Sequence, residues 1–435
     1  MPKWDRPPGL SSPITPPSTP PSAPPSPSPN PSPNPSPITP PNPSPITPPS
    51  PSPNPPPNPP DRPGGLSHKI GVNALYLIPG GVGGTEIYLR ALLPALAEID
   101  NVNQYFVFTN RETGADLVPA APNFIHAPQP VRATSRPARI LWEQTALPIA
   151  ATRLRLDAML NPGFTAPLFC PCPQVTVFHD LQYKRHPEYF RWFDRPFWRF
   201  FLYWAARRSK ALIAISNATA ADLRRFYPRT PASKIHIVPQ GVDPVFAEIR
   251  SRRHPEPFLL AVSTLHPHKN LDGLLRAFAI FRRRHPDMRL VVCGMHGFVT
   301  GPLHELRRSL GLEDAVEFPG WIPRDQLYDL YARAWAFIYP SRFEGFGLPI
   351  LEAMAAGIPM ACSDVEPMSG LAGDAAVKFD PEDVDAIAAA MLRISEDEPL
   401  RTRLAEAGPR QAAKYSWRAT AGGTLETLRG AIATP

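Results

Sequence analysis

Short apolar runs alternate with longer amphipathic stretches along most of this chain. The apolar run Lys69–Leu77 comes first, and in the following stretch, Thr85–Ile99, apolar residues recur at helical spacing. Further runs that we predict as buried strands are Tyr105–Thr109, Ala158–Asn161, Val175–Phe178, Ala211–Ile215, Ile235–Val238, Phe258–Val262, Arg289–Cys293, Val316–Phe318, Ala336–Tyr339, Met360–Ser363 and Ala376–Phe379. Strands that alternate with helices predict an α/β fold with parallel sheets.

A turn-rich stretch at 239–254 divides this pattern into two halves of similar length. We therefore predict two Rossmann-like, doubly wound domains at 67–240 and 257–415, joined by a linker at 241–256 and facing each other across a cleft. The last segment, 416–435, is predicted to be helical. Ligands of such sheets bind beyond the carboxyl ends of the strands, so we expect the chemistry there.

The first 66 residues have a different composition. They contain 30 of the 63 prolines of the chain, and one octamer of Asn, Pro, Ser, Ile and Thr occurs twice, at 34–41 and 42–49. So few apolar side chains cannot offset the entropy of ordering the backbone, and proline favours extended polyproline II. We predict a disordered tail at 1–66. This tail could serve as a spacer or as a ligand of a proline-binding domain. The alternative is an N-terminal extension without a role.

Basic and aromatic residues are concentrated at 184–210. This segment has eight Lys or Arg residues and two acidic ones, in a chain whose net charge is +7. Such a segment can contact an anionic membrane surface. Alternatively, the aromatic rings pack into the domain and the cations form its solvated rim. We do not predict nucleic acid as a partner.

The cysteines and the hydropathy pattern indicate where the protein resides. Four cysteines in so long a chain do not form a disulfide framework and fit a reducing compartment. No run of about 18 apolar residues predicts a transmembrane helix, and the tail does not resemble a secretory signal. We expect a cytoplasmic protein, at most peripheral at the inner face of the plasma membrane.

The most informative segment is 339–359, YPSRFEGFGLPILEAMAAGIP. A buried strand ends at its first residue, a loop with Gly345 and Gly347 follows, and then a helix begins. Free backbone N–H groups and the helix dipole make such a start suitable for phosphate. Glu344 and Glu352 flank this start, where carboxylates can accept hydrogen bonds from sugar hydroxyls. The alternative is that both only favour the helix N-terminus electrostatically.

This segment resembles the Glu-x7-Glu signature of glycosyltransferase family 4, whose members are retaining enzymes with the GT-B fold. The resemblance covers 68–430. It implies that Glu344 contacts the transferred hexose and that Glu352 binds the nucleotide ribose. It also implies that the diphosphate or sugar meets the backbone around Gly345, Phe346 and Gly347.

The turn after the first strand of the second half, AVSTLHPHKN at 261–270, contains Lys269, which can neutralise a leaving diphosphate. The family resemblance implies an Arg five residues earlier, but Thr264 occupies that position. The turn therefore resembles a branch that includes mannosyltransferases of polysaccharide assembly. We expect Thr264 to contact the donor beside Lys269.

Two features of the first half complete the candidate site. The loop GGVGGTE at 80–86 resembles the glycine-rich loop of the family, which implies that Gly81 and Gly83 approach the donor. Glu86 stands where a dinucleotide-binding fingerprint has its third glycine, so we do not predict that fingerprint. His179 ends a predicted strand, and the resemblance implies that it contacts the donor sugar near the reacting carbon.

We therefore predict a retaining glycosyltransferase with Glu344, His179 and Lys269 as catalytic residues. It would move a hexose, mannose by resemblance to the branch, from a nucleotide diphosphate sugar such as GDP-mannose to a glycan or lipid-linked acceptor. We expect no metal and no cofactor, because we see no Asp-x-Asp or His cluster poised for a divalent ion. The alternatives are a nucleotide sugar epimerase on the same fold and a non-catalytic scaffold at the membrane.

Overall fold

The computed structural model describes residues 67–81, 83–295, 297 and 299–433. The predicted tail at 1–66 lies outside the described residues. The elements of the first half are β1 (Lys69–Asn73), α1 (Gly84–Ile99), β2 (Gln104–Thr109), β3 (Phe124–Pro128), α2 (Arg136–Gln144), α3 (Ala146–Leu154), β4 (Ala158–Asn161), β5 (Gln174–Phe178), α4 (Gln182–Arg185), α5 (Arg195–Arg208), β6 (Ala211–Ala214), α6 (Asn217–Phe226) and β7 (Ile235–Ile237).

The second half begins with a helix and continues with alternating strands and helices. Its elements are α7 (Val245–Ser251), β8 (Glu256–Val262), α8 (Leu271–Arg282), β9 (Arg289–Cys293), α9 (Thr300–Ser309), β10 (Val316–Gly320), α10 (Arg324–Arg333), β11 (Ala334–Tyr339), α11 (Leu348–Ala355), β12 (Met360–Ser363), α12 (Met368–Ala372), β13 (Val377–Phe379), α13 (Val384–Glu396), α14 (Glu398–Ala412) and α15 (Trp417–Ala433).

The strands form two parallel sheets, which confirms the predicted fold class. Their orders are β3-β2-β1-β4-β5-β6-β7 and β10-β9-β8-β11-β12-β13. In each sheet the order reverses once, between β1 and β4 in the first and between β8 and β11 in the second. Crevices at such switch points are the usual ligand sites of doubly wound sheets.

Two elements differ from the sequence-based expectation. The stretch at 239–254, predicted as turns, contains α7, whose Phe246 and Ile249 are buried in the core. Strand β3, FIHAP, was not predicted, because it is an edge strand in which only Phe124 is buried and in which His126 and Pro128 interrupt the apolar run. The domain boundaries at 240 and 257 stay a prediction.

Helix α15 follows the second sheet in sequence but packs against α1 and against β4, β5 and β6. The rings of Tyr88 on α1 and Trp417 on α15 are 5.9 Å apart. The Thr420 hydroxyl donates to the carbonyl of Pro239 at 2.8 Å. A Cβ at Gly241 would lie 2.1 Å from the Trp417 nitrogen, so only glycine allows this approach. The helix therefore ties the second half of the chain to the first.

Replacing Leu428 on α15 by alanine tests this packing. The side chain is fully buried in the core, so we expect Leu428→Ala to lower the free energy of unfolding by about 2–5 kcal/mol. Urea unfolding followed by circular dichroism measures the change. The control is Glu426→Ala on the exposed face of the same helix, expected to cost less than about 0.5 kcal/mol. Equal effects of the two substitutions would contradict the packing of α15.

Candidate functional site

The candidate site lies at the carboxyl edge of the second sheet, where the strand order reverses. β8 and β11 are neighbouring parallel strands, and the segments that follow them contain Lys269 and Glu344. Lys269 ends a single helical turn, Pro267–Lys269, and Glu344 lies in the loop before α11. The fold therefore brings together two predicted residues that are 75 positions apart in the chain.

One carboxylate oxygen of Glu344 is the centre of this group. Its Oε1 accepts hydrogen bonds from Lys269 Nζ at 2.5 Å, from Ser341 Oγ at 2.6 Å and from the Tyr339 hydroxyl at 2.7 Å. The side chains of Lys269 and Glu344 are only 12% and 11% exposed. The ion pair is therefore largely shielded from water, where electrostatic interactions are stronger than at a surface.

The charges around Glu344 set its protonation. Burial acts to raise the pKa of Glu344, but the Lys269 ammonium, His268 and the hydrogen bonds outweigh it, so the pKa lies below its ordinary value. The neighbouring Asp180 behaves in the opposite way. Burial, with a contribution from the Glu344 charge, raises the pKa of Asp180 to about 6, although the backbone N–H of Gln182 and Lys269 oppose this. Glu344 is therefore ionised at neutral pH.

The loop that contains Glu344 also touches the end of β5 in the first sheet. A Cβ at Gly345 would lie 2.0 Å from the His179 carbonyl oxygen, so no side chain fits there. The Thr219 hydroxyl is 3.2 Å from the carbonyl oxygen of His179 and 3.3 Å from that of Gly345. Gln182 and His268 form a further contact between the halves, at 2.8 Å. The predicted residues His179 and Gly345 are thus adjacent.

His179 is neutral in this environment. Its side chain is buried between Tyr88 and Phe164, and burial lowers the pKa of the imidazole to about 4. The Nε2 atom donates to the carbonyl of Pro162 at 2.9 Å, since a carbonyl can only accept. Nδ1 is then an acceptor, and it has no hydrogen-bond partner within the described part of the chain. His179 therefore offers a buried lone pair rather than a proton.

The start of α11 has the geometry expected from the sequence. Gly347 precedes the helix with φ +103°, a conformation that favours glycine. The Phe346 ring packs against Tyr415, with the centroids 6.0 Å apart. Only the backbone of Phe346 is therefore available to a ligand. The free N–H groups at the start of α11 can receive an anion.

Glu352 lies apart from the Glu344 group. Its Oε2 accepts a hydrogen bond from the Tyr331 hydroxyl at 2.7 Å, and burial raises its pKa. Arg324 and Asp243 act on the carboxylate in opposite directions. Glu352 is half-buried, so the carboxylate is held in place without being paired to a cation of the Glu344 group.

The remaining predicted residues are Thr264 and the two glycines Gly81 and Gly83 of the first half. The carbonyl of Thr264 accepts a hydrogen bond from the N–H of His266 at 2.8 Å. In the glycine-rich loop, Gly81 closes a turn on Ile78, and Gly83 has φ +59°. Glu86 accepts a hydrogen bond from the N–H of Gly80 at 2.8 Å and pairs with Arg90. Glu86, which stands in place of the third glycine of a dinucleotide-binding fingerprint, therefore holds this loop in place.

Sequence reasoning missed several polar residues of the site: Tyr339, Ser341, Thr219, Gln182 and His268. Two of them were detectable, because Tyr339 ends β11 and Ser341 stands three residues before Glu344. The others reach the site only through tertiary packing. No group of three or more His, Cys, Asp or Glu residues that could hold a metal ion occurs within the described ranges.

A double-mutant cycle tests the buried pair. Lys269→Met removes the cation and leaves an uncompensated carboxylate, so we expect a loss of about 3–5 kcal/mol in the free energy of unfolding at neutral pH. Adding Glu344→Gln should restore most of it. Because the pKa of Glu344 lies below its usual value of 4.5, its contribution is present at neutral pH and is lost on acidification through the folded pKa. The coupling energy should therefore shrink in acid.

The exposed pair Arg284–Glu396 in the same half is the matched control. We expect Arg284→Ala to cost less than about 1 kcal/mol at either pH. Urea unfolding of all variants at neutral and at acidic pH gives the coupling energies. A coupling at Lys269–Glu344 as small as that at the surface pair would contradict the geometry described above.

Family models match both halves of the chain. The model described as "Glycosyltransferase Family 4" matches residues 82–246, and the model described as "Glycosyl transferases group 1" matches residues 245–411. Together they cover residues 82–411, which contain all the strands given above except β1.

Among curated proteins, the O-antigen chain mannosyltransferase B of Escherichia coli is 31% identical over 262 residues, 56% of this chain and 66% of that protein. The MMP alpha-(1->4)-mannosyltransferase of Mycolicibacterium hassiacum is 31% identical over 272 residues, 60% of this chain and 65% of that protein. The chain thus spans slightly less than two thirds of the length of these relatives.

Solved structures show the same fold. A sucrose-phosphate synthase from Thermosynechococcus elongatus aligns with a TM-score of 0.68 and 20% identity, over 85% of this chain and 100% of that one. WaaG, a glycosyltransferase involved in lipopolysaccharide biosynthesis, aligns with a TM-score of 0.64 and 17% identity, over 83% and 100%. The solved structures show that the chain has the GT-B fold, and the two family models, which together match residues 82–411, show that it belongs to glycosyltransferase family 4.

Proposed function

We propose that this protein transfers a hexose, mannose from GDP-mannose, to a glycan or lipid-linked acceptor with retention of anomeric configuration. The observation that carries the proposal is the buried Lys269–Glu344 pair at the switch point of the second sheet, adjacent to His179. The similarity of the chain to several mannosyltransferases supports mannose as the transferred sugar.

In this proposal, donor binding changes the partner of each charge. Lys269 turns from Glu344 to the diphosphate, and Glu344 accepts hydrogen bonds from hydroxyls of the sugar. Two fixed positive groups, the Lys269 ammonium and the N-terminus of α11, then stabilise the charge that develops on the leaving nucleoside diphosphate. Thr264 and the backbone at Gly345–Gly347 approach the diphosphate, and these groups require no bound metal.

His179 and Glu352 position the two ends of the donor. The unpartnered Nδ1 of neutral His179 accepts a hydrogen bond from a sugar hydroxyl. Glu352, held by Tyr331, accepts hydrogen bonds from the ribose. Gly81 and Gly83 allow the backbone of the first half to approach the donor and acceptor. Holding both substrates in reacting geometry supplies much of the rate enhancement.

Retention follows from attack on the same face as the leaving group. The acceptor hydroxyl attacks the anomeric carbon, the bond to the diphosphate oxygen breaks, and that oxygen takes the acceptor proton. Closure of the two predicted domains about 241–256 would exclude water from this step. The buried state of the Glu344 group fits a closed arrangement.

Transfer assays with nucleotide sugars test the proposal. We expect GDP-mannose to raise the melting temperature more than other nucleotide sugars do.

We expect Lys269→Ala to lower kcat by about 100- to 1000-fold at saturating donor. Lys414→Ala, an exposed lysine of the same half, is the control and should leave kcat unchanged.

The double variant Lys269→Met/Glu344→Gln separates loss of folding from loss of chemistry, because it removes both charges and leaves no buried ion of this pair uncompensated. Near-normal turnover of Lys269→Ala at saturating donor would contradict the role of Lys269 in stabilising the leaving diphosphate. Conversion of the donor sugar without any acceptor would show an epimerase instead.

We also propose that the exposed face of residues 191–207 contacts an anionic membrane. Helix α5 packs inward through Leu202, Ala205 and Ala206, while Arg136 covers the ring of Phe197 at 3.8 Å. The opposite face exposes aromatic side chains beside Arg191, Arg199 and Arg207: Trp192 (79% exposed), Phe193 (54%), Phe200 (47%) and Tyr203 (37%). Aromatic and cationic side chains together favour the headgroup region. Within the described residues, no helix is long and apolar enough to cross a membrane.

Vesicle co-sedimentation tests the membrane contact. We expect binding to phosphatidylglycerol vesicles but not to phosphatidylcholine vesicles, weakened by salt. The double variant Trp192→Ala/Phe200→Ala should reduce binding by about ten-fold, since each ring buries apolar area in the headgroup region. Trp321→Ala, which changes a tryptophan 64% exposed in the other half, should bind as the wild type does. Unchanged binding of the double variant would refute this contact.

A further inference from the structure

A second buried carboxylate lies at the switch point of the first sheet. Glu143 of α2 is almost inaccessible. Its Oε2 accepts hydrogen bonds from Thr165 at 3.0 Å and from Asn73 at 3.4 Å, and its Oε1 accepts one from Gln144 at 3.2 Å. Asn73 ends β1 and Thr165 follows β4, and the strand order reverses between these two strands. The Glu143 carboxylate is therefore hydrogen-bonded to residues at both strand ends. Both of its oxygens are engaged by uncharged donors.

Arg139 lies one helical turn before Glu143 and is not satisfied in the same way. Burial lowers its pKa, the Glu143 charge opposes this, and Arg136 adds to the lowering. The Nε atom of Arg139 is buried without a hydrogen-bond partner among the residues that the structure describes. A guanidinium can only donate hydrogen bonds, and a buried donor without an acceptor is unfavourable. Such a group needs an acceptor that the described residues do not supply.

Arg139 stands at the carboxyl edge of the first sheet, the edge at which His179 also lies. It interacts electrostatically with Tyr76, which follows β1. The Tyr76 hydroxyl donates to the carbonyl of Thr85 in the first turn of α1. A Cβ at Gly163 would lie 2.2 Å from the Tyr76 ring, so the segments after β1 and β4 are in contact there. His179 follows β5, the strand next to β4.

Arg139 differs from its neighbour Arg136 in having no ion pair within the described residues, although one nitrogen of Arg136, Nη2, is also buried without a hydrogen-bond partner there. Arg136 pairs with Asp194 at 2.7 Å and covers the ring of Phe197. Glu86 is bound to Arg90 and to the N–H of Gly80. These charges are therefore committed to the fold, and the Glu143 oxygens are committed to Thr165, Asn73 and Gln144.

We propose that Arg139 binds a phosphate or phosphodiester group of the acceptor. This inference rests on the proposed function and specifies its acceptor. Phosphate oxygens match the planar fork of a guanidinium and can take two N–H bonds at once. The acceptor, rather than the donor, supplies this group, because the donor diphosphate belongs to Lys269 and α11 of the opposite sheet. Glu143 is a positioning residue: it holds the strand ends in place, and its charge favours the charged form of Arg139.

Calorimetric titration with octyl phosphate and methyl phosphate tests this site, with the donor site saturated by GDP. We expect Arg139→Ala to weaken the binding of both phosphates by at least about ten-fold, since it removes the charged fork. Arg139→Lys should recover part of the affinity. Octanol, which lacks the phosphate, should bind all variants equally. The matched control is Arg132→Ala, an exposed arginine shortly before α2, which should bind as the wild type does.

The outcomes are distinct. Tighter binding of octyl phosphate than of methyl phosphate supports a lipid-linked acceptor, and equal binding supports a soluble phosphorylated one. Wild-type affinity in Arg139→Ala, or an equal loss in Arg132→Ala, overturns the proposal. If Arg139→Ala does not fold, as judged by its melting temperature, Arg139→Gln replaces it. If no nucleoside diphosphate binds, the proposed function fails, and the same titrations without GDP still decide the role of Arg139.

Discussion

The buried ion pair between Lys269 and Glu344 is the interaction around which the site is organised. Removing two charges from water costs several kcal/mol for each ion, which a single contact often does not recover. Here Tyr339 and Ser341 add hydrogen bonds to the same oxygen. They stabilise the carboxylate and hold it ionised. A pair that adds little net stability but is placed at a strand switch point is better explained by binding than by folding.

The same loop carries a second constraint, the close approach of Gly345 to the carbonyl of His179. Because no side chain fits between them, the two halves of the chain meet there through backbone. A donor sugar that contacts both Glu344 and His179 must enter where these segments now touch. Under the proposed function, the halves would have to separate for the donor to bind and would then close on it. α15, which packs against α1, keeps them associated meanwhile.

Much of the fold could be predicted because its strands are buried on both faces and are therefore continuous apolar runs. β3 escaped prediction because an edge strand such as FIHAP lacks that signal, and α7 because its seven residues are too few to show a helical period. Glu344, Lys269 and His179 could be placed at the carboxyl edges of the two sheets, since each follows a predicted strand. Their partners could not, because the contacts of Thr219 with Gly345 and of Gln182 with His268 span 126 and 86 positions. Only tertiary packing creates such contacts.

The switch points of the two sheets have a similar arrangement of charges, but the hydrogen-bond partners of the two carboxylates differ. Each places a cation near a buried carboxylate, Lys269 beside Glu344 and Arg139 beside Glu143. Lys269 is hydrogen-bonded to its carboxylate, so an incoming diphosphate must compete with Glu344 for the ammonium. Glu143 is instead held by uncharged donors, so a ligand of Arg139 meets less competition. If both substrates are anionic, their mutual repulsion across a cleft of low dielectric would oppose closure. A cation at each switch point offsets that repulsion, and this explains why the charge is divided between the two sheets rather than concentrated at the donor.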